Sequence, residues 1–125
     1  MKYILFLLLL LTSATYSQEI EDKVFEFSEL DEKPDFKGGI MQFYQYVGKN
    51  FKVPEEESLN GKIILSFIIE KDGSITNIKV IQDLGFGTAE EGIRVLSTSP
   101  KWLPAKKDGV PVRTYFQLPI AIRHN

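Results

Sequence analysis

KIILSFIIEKDGSITNIKVIQ, residues Lys62–Gln82, is the stretch that decides the fold. Its first half is the most hydrophobic run of the chain outside the N-terminus. Ile63, Leu65, Phe67 and Ile69 fall on one face at the two-residue period of a strand. Ile64 and Ile68 interrupt the other face, so the pattern predicts a central strand covered on both sides. Lys71-Asp72-Gly73 then turns the chain, and Asp-Gly between β-rich runs is a strong hairpin signal. The return strand, Ser74 to Gln82, carries Ile75, Ile78, Val80 and Ile81.

Upstream, Ile40, Phe43, Tyr44 and Val47 recur at helical spacing after the break at Gly38-Gly39, which predicts an amphipathic helix ending near Gly48 to Asn50. An aromatic stripe at this spacing reads as core. Downstream, Asp83 to Gly87 is a glycine-bearing loop whose spacing fits no nucleotide-binding motif. Thr88 followed by Glu91 is read as a capping box opening a short second helix with Ala89, Ile93 and Leu96 on one face. Gly92 inside it costs about 1 kcal/mol against alanine, so this helix depends on packing. Pro100-Lys101-Trp102-Leu103-Pro104 closes it and puts a tryptophan at the edge of the core. In the last strand Val112, Thr114, Phe116, Leu118, Ile120 and Ile122 point one way, and Arg113, Tyr115, Gln117, Pro119, Ala121 and Arg123 the other. Pro119 has no N–H to give a ladder, which assigns this strand to a sheet edge. The expectation is an α+β fold: hairpin 62–82 plus edge strand 112–122 in a three-stranded antiparallel sheet, order return–central–last, packed with two helices.

The N-terminus carries a different message. Lys2 precedes an apolar run from Ile4 to Leu11, then small and polar residues through Ser17. That is the layout of a signal peptide cleaved near Ser17-Gln18. Eight apolar residues reach about 12 Å as a helix, against a hydrocarbon core of about 30 Å. The reading is export to the periplasm, with inner-membrane anchoring as the alternative if the segment stays uncleaved. Residues 1–17 are thus assigned as signal, 18–33 as an acidic, partly disordered leader, and 34–125 as the folded domain. Between Glu19 and Asp35 eight acids face two lysines, while the later residues hold nine acids and twelve bases. A short β-like stretch at Val24, Phe25 and Phe27 leads to a turn at Glu32-Lys33-Pro34-Asp35.

Composition excludes much chemistry. There is no cysteine, so neither disulfides nor thiol chemistry nor thiolate metal sites are available. A formal net charge of −2 favours neither nucleic acid nor an anionic membrane. The one histidine, His124, is penultimate, and Ser66, Ser97 and Ser99 have no recognisable base; Glu55-Glu56-Glu57 lacks the spacing of a calcium loop. No catalytic, cofactor or metal site and no small-molecule substrate is expected, which leaves a small periplasmic enzyme as the weakest functional class.

Taken in order, Phe36-Lys37-Gly38-Gly39, Tyr46 to Asn50 running into Val53-Pro54, Asn60-Gly61-Lys62-Ile63, Asp72-Gly73-Ser74-Ile75, Trp102-Leu103-Pro104-Ala105, Asp108 to Val112 and Leu118-Pro119-Ile120 resemble the TonB C-terminal domain family. The resemblance spans residues 34 to 122, and its Gly-Gly helix start is similar to the form common in Bacteroidetes. It implies a non-enzymatic domain that binds the TonB-box segment of an outer-membrane transporter by strand addition in energy-coupled transport. The implied site is the edge formed by Val112, Arg113, Thr114, Tyr115, Phe116, Gln117 and Leu118. The same edge would also allow two copies to pair as a homodimer. Energy-transducing members carry a full membrane anchor and a proline-rich spanner, which are not seen before Pro34. The alternative is therefore a secreted stand-alone strand-binding adaptor or regulator with no energy coupling.

Overall fold

The computed structural model describes residues 22–123. The signal segment, its cleavage near Ser17-Gln18, leader residues 18–21 and His124 lie outside the described residues. Elements follow in the order β1 (Val24–Phe25), a single 3₁₀ turn (Phe27–Glu29), α1 (Ile40–Asn50), β2 (Asn60–Ile69), β3 (Ile75–Gln82), α2 (Thr88–Ser97), β4 (Ala105–Lys107) and β5 (Val110–Arg123). The hairpin, both helices and the last strand stand where periodicity put them.

The sheet is mixed and has five strands rather than three. β5, β2 and β3 form the antiparallel centre in the expected order, with β2 in the middle. Ten consecutive β2–β5 pairs run from Asn60 opposite Arg123 to Ile69 opposite Thr114. β1 adds in parallel to the far side of β5, opposite Arg113 and Thr114. β4 pairs antiparallel with Val110–Val112 through a two-residue turn in which Asp108 and Gly109 both have positive φ, 52° and 76°. The β-like stretch expected at Val24, Phe25 and Phe27 is β1, shortened to two residues, but a strand that short carries no signal of its partner, and the three-residue β4 gives no periodic signal at all.

Both helices pack on the face carrying Ile63, Leu65, Phe67 and Ile69, joined there by Leu118, Ile120 and Ile122 of β5. The opposite face carries no described helix, and Ile64 and Ser66 on it are half-buried. The expected two-sided cover is therefore one-sided: Ile68 is buried there between its register partners Thr76 and Tyr115. In α1 the buried residues are Phe43 and Val47, while Tyr44 is 46% and Ile40 39% exposed. The core stripe is thus narrower than the sequence implied.

Trp102 is central, not peripheral. It is 3% exposed, and its ring lies 4.7 Å from Phe43, 5.3 Å from Phe36 and 5.1 Å from Phe116. The 32–35 turn is instead extended chain, with Glu32 bridged to Lys106 and Asp35 to Leu103. Nor does the Thr88–Glu91 capping box form. Gly87, in the left-handed conformation, is the N-cap, and buried Thr88 turns its hydroxyl to the Gly85 carbonyl at 2.7 Å. No described helix is long and apolar enough to cross a membrane.

Candidate functional site: an open strand edge beside an apolar groove

The alternation of a strand fixes which backbone groups of β5 are free. The Glu70 N–H donates to the Ser74 carbonyl across the hairpin at 2.8 Å, so even-numbered residues at this end of β2 face β3. Odd-numbered ones then face β5, where their register partners are even-numbered: Phe67 with Phe116, Leu65 with Leu118. Backbone groups of Tyr115, Gln117, Pro119, Ala121 and Arg123 therefore point the other way. On that side the described structure supplies only β1, at Arg113 and Thr114. Beyond the Tyr115 N–H, which the parallel Phe25–Thr114 pairing gives to the Phe25 carbonyl, no described strand covers the edge as far as Arg123. Pro119, opposite Ile64, is tolerated because its missing N–H belongs to the outward row.

The seven edge residues singled out from sequence divide sharply. Val112 is buried and paired with Ala105 of β4. Arg113 and Thr114 are already paired by β1, and the buried Thr114 hydroxyl donates to the Phe25 carbonyl at 2.9 Å. Phe116 and Leu118 turn their side chains inward; Phe116 stacks on Phe67 at 5.3 Å. Tyr115 and Gln117 alone combine an exposed side chain with an outward backbone. The open edge then continues past Leu118 to Arg123, which the sequence reading did not include.

A groove of about 370 Å³ runs beside the far half of this edge. Its floor and lip are Pro119 to Ile122, and its wall is Tyr44, Val47, Phe51 and Val53 at the end of α1. Helical spacing reads Tyr44 and Val47 as core, and the sequence pattern gives Phe51 and Val53 no place in a binding site. The available signal was Val53, apolar but outside any helical stripe, and it is 43% exposed. Side chains of α2 hold the wall in place. Arg94 donates to the Asn50 carbonyl at 2.6 Å and, through Nε, to Glu91 at 2.7 Å, while Glu91 accepts the Lys52 N–H at 2.7 Å. The Arg94 guanidinium, then the Lys52 N–H, bring the Glu91 carboxyl down to about 2. Tyr46 adds a hydroxyl bond to the Val95 carbonyl at 2.8 Å.

At the near end Arg113 clasps Glu70 through two bonds, 2.6 and 3.1 Å, which hold that carboxyl below its ordinary range with help from Thr76. A second concavity of about 480 Å³ lies there between Phe27 and Tyr115 to Gln117. The sheet's other edge is built differently. β3 carries two register shifts and Asn77 at φ 51°, with Lys79 exposed, features that blunt an edge against pairing. Among the described residues no group of three or more His, Asp or Glu is placed to hold a metal ion. What the site offers chemically is a row of main-chain donors and acceptors beside an apolar trough.

Residues 54–122 match the family model described as Gram-negative bacterial TonB protein C-terminal. Among solved structures, the chain is similar to the C-terminal domain of Helicobacter pylori TonB determined in solution by NMR. The identity is 22% and the TM-score 0.47, over 66% of this chain and 90% of that one. No curated protein matches the chain.

Proposed function

The chain belongs to the TonB C-terminal family, whose domains mediate protein interactions in transport, and on that premise we propose that it binds a partner protein in the periplasm by strand addition. The partner is an extended segment of an outer-membrane transporter, its TonB box, laid along β5. The observation that carries this reading is the contrast between the two sheet edges: β3 is blunted, whereas β5 is open from the Tyr115 carbonyl to Arg123 beside an apolar groove. Main-chain bonds from the edge supply affinity, and every second side chain of the incoming strand enters the groove and supplies selectivity. The site residues are accordingly Tyr115, Gln117, Pro119, Ala121 and Arg123 for the main-chain row, with Tyr44, Val47, Phe51 and Val53 as the wall.

The test is titration of ¹⁵N-labelled mature protein with peptides from the N-terminal regions of the source organism's outer-membrane transporters. Binding should shift the amides of residues 115–123 and leave those of 75–82 in place. If no peptide moves any β5 amide, the reading fails.

A further inference from the structure

The segment Asp22–Leu30 pairs with the same strand whose free edge is the docking site. Its main-chain hold is short: Val24 and Phe25, parallel to β5, opposite Arg113 and Thr114. Side chains reinforce it. Phe25, 7% exposed, packs with Leu30, Ala105 and Val112 in a cluster separate from the main core. Arg113, while clasping Glu70, also donates to the Asp22 carbonyl at 2.8 Å. The Phe27 ring meets Phe116 edge-on at 5.8 Å, and the 3₁₀ turn is closed by Glu29, which accepts from the Glu26 N–H at 3.0 Å and from Lys23 at 2.6 Å. A strand entering along β5 from the Arg123 end therefore meets Glu26 and Phe27 just beyond Tyr115.

We propose that Asp22–Leu30 is a self-bound edge cap, which confines a partner strand to residues 115–123 and competes with any longer one. This rests on the strand-addition reading of the same edge. Two paired residues and one small apolar cluster place the cap at the low end of local stability, well below the ten-pair β2–β5 ladder. When it lifts, the outward N–H groups of Arg113 and Tyr115 join the open row, and the docking edge lengthens by the stretch that β1 had covered.

The experiment uses the full chain and Phe25→Pro, which removes both the N–H facing β5 and the buried ring. In the unaltered chain, the Phe25 amide should exchange with deuterium at least 100-fold faster than that of Leu65. Equal rates would mean the cap leaves only on global unfolding, and would overturn the proposal without any variant. The nonapeptide of residues 22–30, added in trans, should slow exchange at Arg113 in Phe25→Pro and do nothing to the unaltered chain. Absence of that protection in a variant with native Trp102 fluorescence overturns it too. A transporter peptide that binds the unaltered chain should bind Phe25→Pro at least threefold tighter. Equal binding sinks the cap and leaves strand addition standing. Protection by the nonapeptide with no transporter peptide binding either protein supports the cap and removes the transporter reading.

Discussion

Two glycines show how much a missing Cβ decides at the residue scale. Gly73 has φ +88°, and a Cβ there would lie 1.9 Å from the Trp102 carbonyl oxygen, while the Trp102 N–H donates to the Gly73 carbonyl at 2.8 Å. The hairpin turn and the tryptophan loop are thus in backbone contact. Gly73→Ala should cost about 3 kcal/mol in urea unfolding, because both the conformation and the clash oppose it. Gly92 is different, since its helical backbone suits any residue. Its Cβ would meet only the Leu65 and Ile63 methyl tips, at 2.7 and 3.1 Å. The helix propensity gained offsets only part of the overpacking incurred, so Gly92→Ala should cost about 1 kcal/mol. Glu91 ties stability to pH. Its folded-state pKa lies below the ordinary 4.5, so its contribution is complete above that value and fades as pH falls toward about 2. Glu91→Gln should therefore lower the urea midpoint at pH 7, and the difference from the unaltered protein should shrink progressively between pH 4.5 and pH 3.

On the scale of the element, β5 serves two neighbours with alternate residues. Even positions bond to β2 and bury their side chains; odd positions face the open side. A proline scan separates the two rows. Ala121→Pro removes an outward N–H and should leave the urea midpoint nearly unchanged, within about 0.5 kcal/mol, while weakening a bound transporter peptide about tenfold. Ile120→Pro removes a bond to β2 and a buried side chain, and should destabilise by about 3 kcal/mol or more. If the two variants unfold at the same denaturant concentration, the assignment of rows is wrong.

At the scale of the whole molecule, both helices cover one face of the sheet, and α1 ends short of the β5 edge. The gap between them is the groove. Its wall residue Val53 is half exposed and outside the core cluster, so Val53→Asp should leave stability within about 0.5 kcal/mol. The same change places a charge in the trough, and peptide affinity measured by calorimetry should fall about tenfold.

Local pattern alone determined the hairpin at Lys62–Gln82, the two helices, the alternation of Val112 to Arg123 and the sheet order around β2. Each is a repeating preference of neighbouring residues, and Pro119 by itself marked β5 as an edge. Tertiary structure decided the rest, because it depends on which distant segments meet. Val24–Phe25 is too short to declare its partner, yet pairing with Arg113 and Thr114 moves the open edge toward Arg123. Trp102 reads as peripheral between two prolines until the Gly73 contact draws it among Phe36, Phe43 and Phe116. Thr88 and Glu91 fit a cap by spacing, but the glycine at the N-cap and Arg94 beside α1 redirect both side chains. The groove is a gap between elements, and no single stretch of sequence encodes a gap.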